Sequence, residues 1–286
     1  MKSRIWLVYA LVTTLSWGVW GAFIEIPEKN GFPATLGYTV WALTMIPCAL
    51  VALSIVGWRL ERDRRSILLG SAVGLLGAGG QLVLFETLRL GPAYIVFPII
   101  SLYPVLTIIL SVSILKERAS RKAWFGIACA LAAMVLLSYQ PPNYSATRGY
   151  LWLLLAILVF IAWGVQAWVM KYSNERMRAE SIFFYMMATG LALIPLAVLM
   201  TDFSRSVNWG LKGPWLAGLI QVLNSIGALT LVYAVRYGKA IIVVPMTALA
   251  PVLTIIISLT IWGVIPHPVI VSGMVFASIA ILLMAE

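Results

Sequence analysis

The chain has 286 residues, 62% hydrophobic and 10% charged, with a formal net charge of +10 and a mean hydropathy of +0.99. Soluble domains carry about a quarter of charged residues, so this composition excludes a soluble globular protein. The apolar runs also lack the strict alternation of a barrel strand, which leaves helices as the spanning structure that satisfies its own backbone.

Ten spans of roughly helical membrane length are predicted, near residues 5–24, 34–57, 67–88, 92–115, 122–139, 149–170, 181–200, 213–235, 240–262 and 268–285. The first follows Lys2 and Arg4 but exceeds a signal-peptide core and lacks a small-residue cleavage site, so it is expected to be a retained helix. It carries LSWGVWG, which puts Trp17 about 18 Å from the helix start, too deep for the interfacial belt that accounts for Trp6 and Trp41. Two readings of Trp17 stand: packing on a glycine of a neighbouring helix, or lining a cavity with Trp20. The stretch from Glu25 to Pro33 is expected to form turns, and RLERDRRS after the second span a solvated anchor.

The third span contains Gly70, Gly74, Gly77, Gly79 and Gly80, a spacing that lets helix backbones approach closely, so it is expected in the interior. Near its end stand Gln81 and Glu86. An acid inside a span usually faces a partner or a wet cavity, so Glu86 either pairs with Arg89 one turn on or binds substrate or a proton. The fourth span carries Pro98 and Pro104, each of which lacks an N–H and frees a carbonyl one turn earlier, so they either mark hinge positions or serve packing alone, as prolines in membrane helices also do. Cys48 and Cys129 lie within apolar runs and are expected to be small packing residues.

After the polar segment QPPNYSATRG, the sixth span restates the first as IAWGVQAW, with Trp163 and Gln166. Gln221 and Asn224 share one face of the eighth span, either as glue between helices or as ligand contacts. The ninth span then repeats the fourth. LFETLRLGPAYIVFPIISLYPVLTIILS, from Leu84, and LVYAVRYGKAIIVVPMTALAPVLTIIIS, from Leu231, are identical at 15 of 28 positions at an offset of 147. About three matches are expected by chance. Pro245 and Pro251 align with Pro98 and Pro104, and Arg236 with Arg89. His267, in the last external turn, is expected at the surface.

The chain therefore reads as one unit twice: 1–139, an external linker at 140–148, and 149–286. Five spans per unit is odd, so the second copy threads the membrane upside down. The expected fold class is an all-α integral membrane protein with ten transmembrane helices as two five-helix inverted repeats. Counting Lys and Arg at alternate ends gives 15 against 5, which places both termini in the cytoplasm of a multi-pass cell-membrane protein. The basic charge is a topology signal and does not point to nucleic acid.

The ten-helix plan, the Trp-Gly pairs at Trp17-Gly18 and Trp163-Gly164, the GPA-x11-P core with its GKA-x11-P copy, and the Lys116-Glu117 pair together resemble the drug/metabolite transporter superfamily, in its EamA-type branch. One departure is that Gly263-Val264 stands where Lys116-Glu117 stands in the first copy. The resemblance implies a central cavity lined by spans 1, 3, 4, 6, 8 and 9, in a branch whose members export amino acids and drugs, with relatives that move sugars, nucleotide-sugars and choline. It implies a secondary transporter working by alternating access. A non-transporting receptor or assembly subunit is the alternative; a membrane-embedded enzyme is disfavoured by the lack of an HExxH motif and of paired intramembrane acids.

The candidate substrate-binding residues are Trp17, Trp20, Gln81, Glu86, Tyr94, Tyr103, Trp163, Gln166, Asn224 and Tyr233. Their aromatic faces and neutral amides, without a basic residue at mid-membrane, point to an amino acid-like, neutral sugar-like or organic-cation substrate. Neither a cofactor nor a metal is expected. The expected partners are the substrate, the lipid bilayer and, through Glu86, protons; the chain is expected to be a monomer or weak homodimer. The sharpest clues are the positions where the copies differ: Glu86 with Tyr233, Tyr94 with Ile241, Ser101 with Ala248 and Tyr103 with Ala250.

Overall fold

Long apolar stretches become helices here because no other local structure pairs every backbone group within the segment itself. The computed structural model describes residues 4–139, 150–263 and 265–285, without the side chains of Tyr94 and Trp262, and among these it contains helices and no strand. The first repeat comprises α1 (Ile5–Phe23), the short α2 (Glu25–Lys29), α3 (Ala34–Ile55), α4 (Arg64–Leu90), α5 (Ala93–Ser101) with α6 (Tyr103–Ser113), and α7 (Arg121–Leu137). The second comprises α8 (Leu151–Asn174), α9 (Ala179–Ala192) with α10 (Ile194–Leu199), a π-type turn (Leu211–Trp215) running into α11 (Leu216–Tyr237), α12 (Ala240–Thr247) with α13 (Ala250–Trp262), and α14 (Pro268–Met284). The segment expected as the linker lies outside the described residues.

Among the described residues, eight stretches are long and apolar enough to cross a membrane, against the ten expected. The two that fall short are α7 and α14, of 17 residues each, or about 25 Å of helix. Both start at side-chain caps and end short of the expected spans, at Leu137 and Met284. The Ser120 hydroxyl accepts from the Ala123 N–H at 3.1 Å, and His267 Nδ1 accepts from the Val269 N–H at 3.3 Å. Thus His267 starts a helix as well as lying near the surface, and its ring sits 4.7 Å from that of Tyr139. The two short helices pack along each other where glycines allow it, Gly126 against Met284 and Gly273 against Leu136 and Leu137. The stretch from Glu25 to Pro33, expected as turns, contains the helical turn α2.

Of the four expected hinge prolines, Pro98 and Pro245 lie inside the continuous helices α5 and α12, whereas Pro104 and Pro251 follow helix breaks. α5 and α6 part at Leu102, and α12 and α13 part at Ala248 and Leu249, two to three residues before Pro104 and Pro251. A proline N cannot donate to the carbonyl four residues back, so the backbone tightens to three-residue bonds in both copies. Leu102 N donates to Ile99 O at 3.3 Å and Val105 N to Leu102 O at 2.9 Å; Leu249 N donates to Met246 O at 3.2 Å and Val252 N to Leu249 O at 3.0 Å.

The repeats are interleaved. α4 lies along α8 and α9, and α11 lies along α1 and α3, so the third long helix of each repeat packs on the first two of the other. Helix ends collect at two faces. One, the terminus-bearing face, gathers the starts of α1, α7, α9 and α12 with the ends of α6, α8, α11 and α14. At this face a single core runs through both repeats, from Ala10, Met45 and Val73 to Phe183, Val232 and Ile241. Toward the opposite face the core divides into three smaller clusters, around Trp152, Tyr38 and Phe32.

Candidate functional site

The repeated Trp-Gly pair builds the same joint twice. Trp17 Nε1 donates to Asn224 O at 3.3 Å, and Trp163 Nε1 donates to Gly77 O at 3.3 Å. Each indole lies against a glycine one turn further along. A Cβ on Gly227 would meet Trp17 Nε1 at 2.4 Å, and one on Gly80 would meet Trp163 Nε1 at 2.6 Å. The glycine of each pair faces the other way, Gly18 against Leu253 and Gly164 against Leu106. There Thr254 Oγ1 donates to Gly18 O at 2.9 Å and Thr107 Oγ1 donates to Gly164 O at 2.9 Å. The geometry shows each deep tryptophan packed on a glycine of the other repeat while remaining half-buried. The four groups pin α1 between α11 and α13, and α8 between α4 and α6.

Around this symmetric frame the side chains differ. Beside Trp163 stands Tyr103, edge-on at 6.0 Å, while its copy Ala250 leaves Trp17 without that ring. Beside Trp17 stands a polar group instead. Gln221 Oε1 accepts from Trp20 Nε1 at 3.0 Å and from Asn224 Nδ2 at 3.3 Å, and Gln221 Nε2 donates to Gly37 O at 3.2 Å. Three helices, α1, α3 and α11, are thus joined by a buried amide, since a buried polar group must find partners. On the other side Gln166, the copy of Trp20, lies over Gly77, and Gly74, the copy of Gln221, is filled by Thr189. Trp17, Trp20, Tyr103, Trp163, Gln166 and Asn224 are all half-buried.

Glu86 and Tyr233 lie apart from this centre. Glu86 is paired with Arg89, whose Nε donates to Glu86 Oε2 at 2.8 Å, in a pair that is 35% exposed on the acid side and 69% on the base side. Gln81 is half-buried one residue beyond Gly80. The side chain of Tyr94 lies outside the described residues. Tyr233 is at the terminus-bearing face, where its hydroxyl donates to Glu180 Oε1 at 2.6 Å and its ring stacks on Tyr9 at 5.0 Å.

Several residues here were not singled out from the sequence. Glu180 is only 8% exposed, although it stands in the first turn of α9. Glu117, named above only as half of a family pair, is 8% exposed and accepts from Ala240 N at 3.1 Å and Ile241 N at 3.0 Å. Lys171, whose side chain is 13% exposed, donates through Nζ to Gly238 O at 2.8 Å and Val235 O at 3.2 Å. Thr107 and Thr254 are an identical pair in the repeat alignment, and that identity is the signal that points to them.

The comparisons agree with this architecture. A solved crystal structure of a protein matches 99% of this chain and 98% of its own with a TM-score of 0.78, at 17% identity, which is a likeness of fold. Protein LicB of Haemophilus influenzae is 23% identical over 209 residues, covering 70% of each chain. The model of the EamA-like transporter family matches twice, at residues 4–139 and 150–285. With the fold, the duplicated Trp-Gly joint and both family matches in place, the chain belongs to the EamA-like transporter family, within the drug/metabolite transporter superfamily.

Proposed function

We propose that the protein is a secondary transporter moving a small polar or amphipathic metabolite across the membrane by alternating access. One observation carries this reading. The two repeats are joined by matching bonds, yet the core is continuous at one face and divided at the other. Matching joints allow the repeats to exchange roles, so the arrangement described is one of a pair, closed at the terminus-bearing face. In this proposal all ten segments cross, with α7 and α14 as short spans, and the repeats are inverted about an axis in the membrane plane. The excess of Lys and Arg puts the closed face in the cytoplasm.

The substrate site lies between Trp17 with its Trp20, Gln221 and Asn224 group and Trp163 with Tyr103 and Gln166. Its aromatic faces and neutral amides suit an amino acid-like compound, a neutral sugar or an organic cation. Glu86, held by Arg89 near a helix end, serves as an anchor in this reading. The test is a thermal-shift screen of those three classes, since a binder stabilises the folded state by mass action, followed by counterflow of the labelled binder in sealed liposomes. Exchange of label supports the proposal. A binder that stabilises the protein but does not exchange would sink it.

A further inference from the structure

α12 and α5 are copies of one element, yet α12 buries seven of its eight residues while α5, among its described side chains, buries only Val96 and Ile100. The helices that continue them differ in the opposite direction along the molecule. α6 buries Thr107, Ile108 and Ser111, whose copies Thr254, Ile255 and Ser258 are half-buried. Both differences say that the repeats meet more closely at the terminus-bearing face.

Polar chemistry at that face follows the same division. Glu117, from the first repeat, spans the start of α12 in the second, one carboxylate oxygen on each of the amides of Ala240 and Ile241. Lys171 covers the end of α11 through Val235 O and Gly238 O, with its Nζ 3.9 Å from Glu117 Oε1. Lys239, in the turn itself, donates back to Arg118 O. An anion at a helix start and a cation at a helix end each match the local dipole, so one ion pair holds both ends of the α11–α12 turn against α6 and α8.

Among the described residues, the copied turn at Gly91 and Pro92 keeps the packing but none of this clamp. Trp152 lies on Gly91 as Trp6 lies on Gly238. Val264 stands at the position of Glu117, Pro92 at that of Lys239, and Glu25 at that of Lys171, with Glu25 paired instead to Lys29 at 2.7 Å.

We propose that Glu117 and Lys171 form a latch that closes the terminus-bearing face, and that its absence from the copied turn makes the two access states unequal. Opening this face separates a buried carboxylate from two amides and an ammonium, groups that are costly to leave unpaired. The corresponding movement at the other turn separates Trp152 from a glycine. The inference rests on the alternating-access reading but needs no substrate to test, so its failure and a failure of counterflow are distinct results.

Amide hydrogen exchange of the full chain in lipid nanodiscs, for the wild type, E117Q and K171M, decides it. Amides of residues 239–244 should exchange about tenfold faster or more in E117Q and less so in K171M, which keeps the two amide bonds. At the same time, amides in the opposite-face halves of α8 and α11, residues 151–160 and 216–225, should become slower as that face closes. Faster exchange confined to 239–244 would make the group a local helix cap and overturn the latch. Faster exchange spread evenly over the chain, or no change in either variant, would overturn it equally.

Discussion

Gly79 and Gly80 are neighbours in α4 with opposite surroundings. A Cβ on Gly80 would meet the Trp163 indole at 2.6 Å, whereas one on Gly79 meets nothing within 4 Å. Gly80→Ala is therefore expected to lower stability by about 1–3 kcal/mol through overpacking, while Gly79→Ala is neutral or stabilising by up to about 1 kcal/mol from helix propensity. Thermal unfolding of the two variants in one detergent checks this pair. Thr107→Val removes the hydroxyl that reaches Gly164 O without changing the shape of a fully buried side chain; a loss of about 0.5–1.5 kcal/mol is expected. Glu86→Gln, by contrast, breaks an exposed i,i+3 pair and should move stability by less than about 1 kcal/mol. At this scale the sequence indicated that Trp17 and Trp163 were too deep for an interfacial role. It left packing and lining open, because the glycine that receives each indole lies in the other repeat.

At the scale of elements, hydropathy located the helical segments and the repeat located the breaks. Pro104 and Pro251 part their helices at copied positions, an outcome legible in the sequence because a missing N–H is a local property. Pro104→Ala restores a donor for Ile100 O and should join α5 to α6. Amides 101–106 are then expected to exchange about tenfold slower, and unchanged exchange there would mean that packing rather than proline sets the break. Two features escaped a hydropathy reading. α7 and α14 open at the Ser120 and His267 caps and end short of the expected spans, at Leu137 and Met284, and α2 adds a helical turn to a stretch rich in turn-forming residues. Cap geometry depends on where a backbone N–H points, and an average over residues carries no such direction.

For the whole molecule, the excess of basic residues at alternate helix ends places both termini in the cytoplasm in the proposed topology. A fluorescent protein fused after Glu286 should then glow in cells, and alkaline phosphatase fused at the same point should be inactive; the reverse pattern would invert the topology and with it the identity of the latched face. By itself the sequence determined the solvent, the helices and the doubling, because hydropathy, proline chemistry and identity between copies are properties of the chain alone. Only the tertiary structure decided at which face the core is continuous. Two near-copies imply both arrangements equally, and the choice rests on contacts between residues far apart in the chain, such as Glu117 with Ala240 and Ile241. It also decided the part played by the Trp-Gly pair with which the two copies announce themselves. Each pair is the joint by which one repeat grips the other, with unequal side chains around those joints, Tyr103 on one side and Gln221 with Asn224 on the other, and in the proposed function it is these that recognise the substrate.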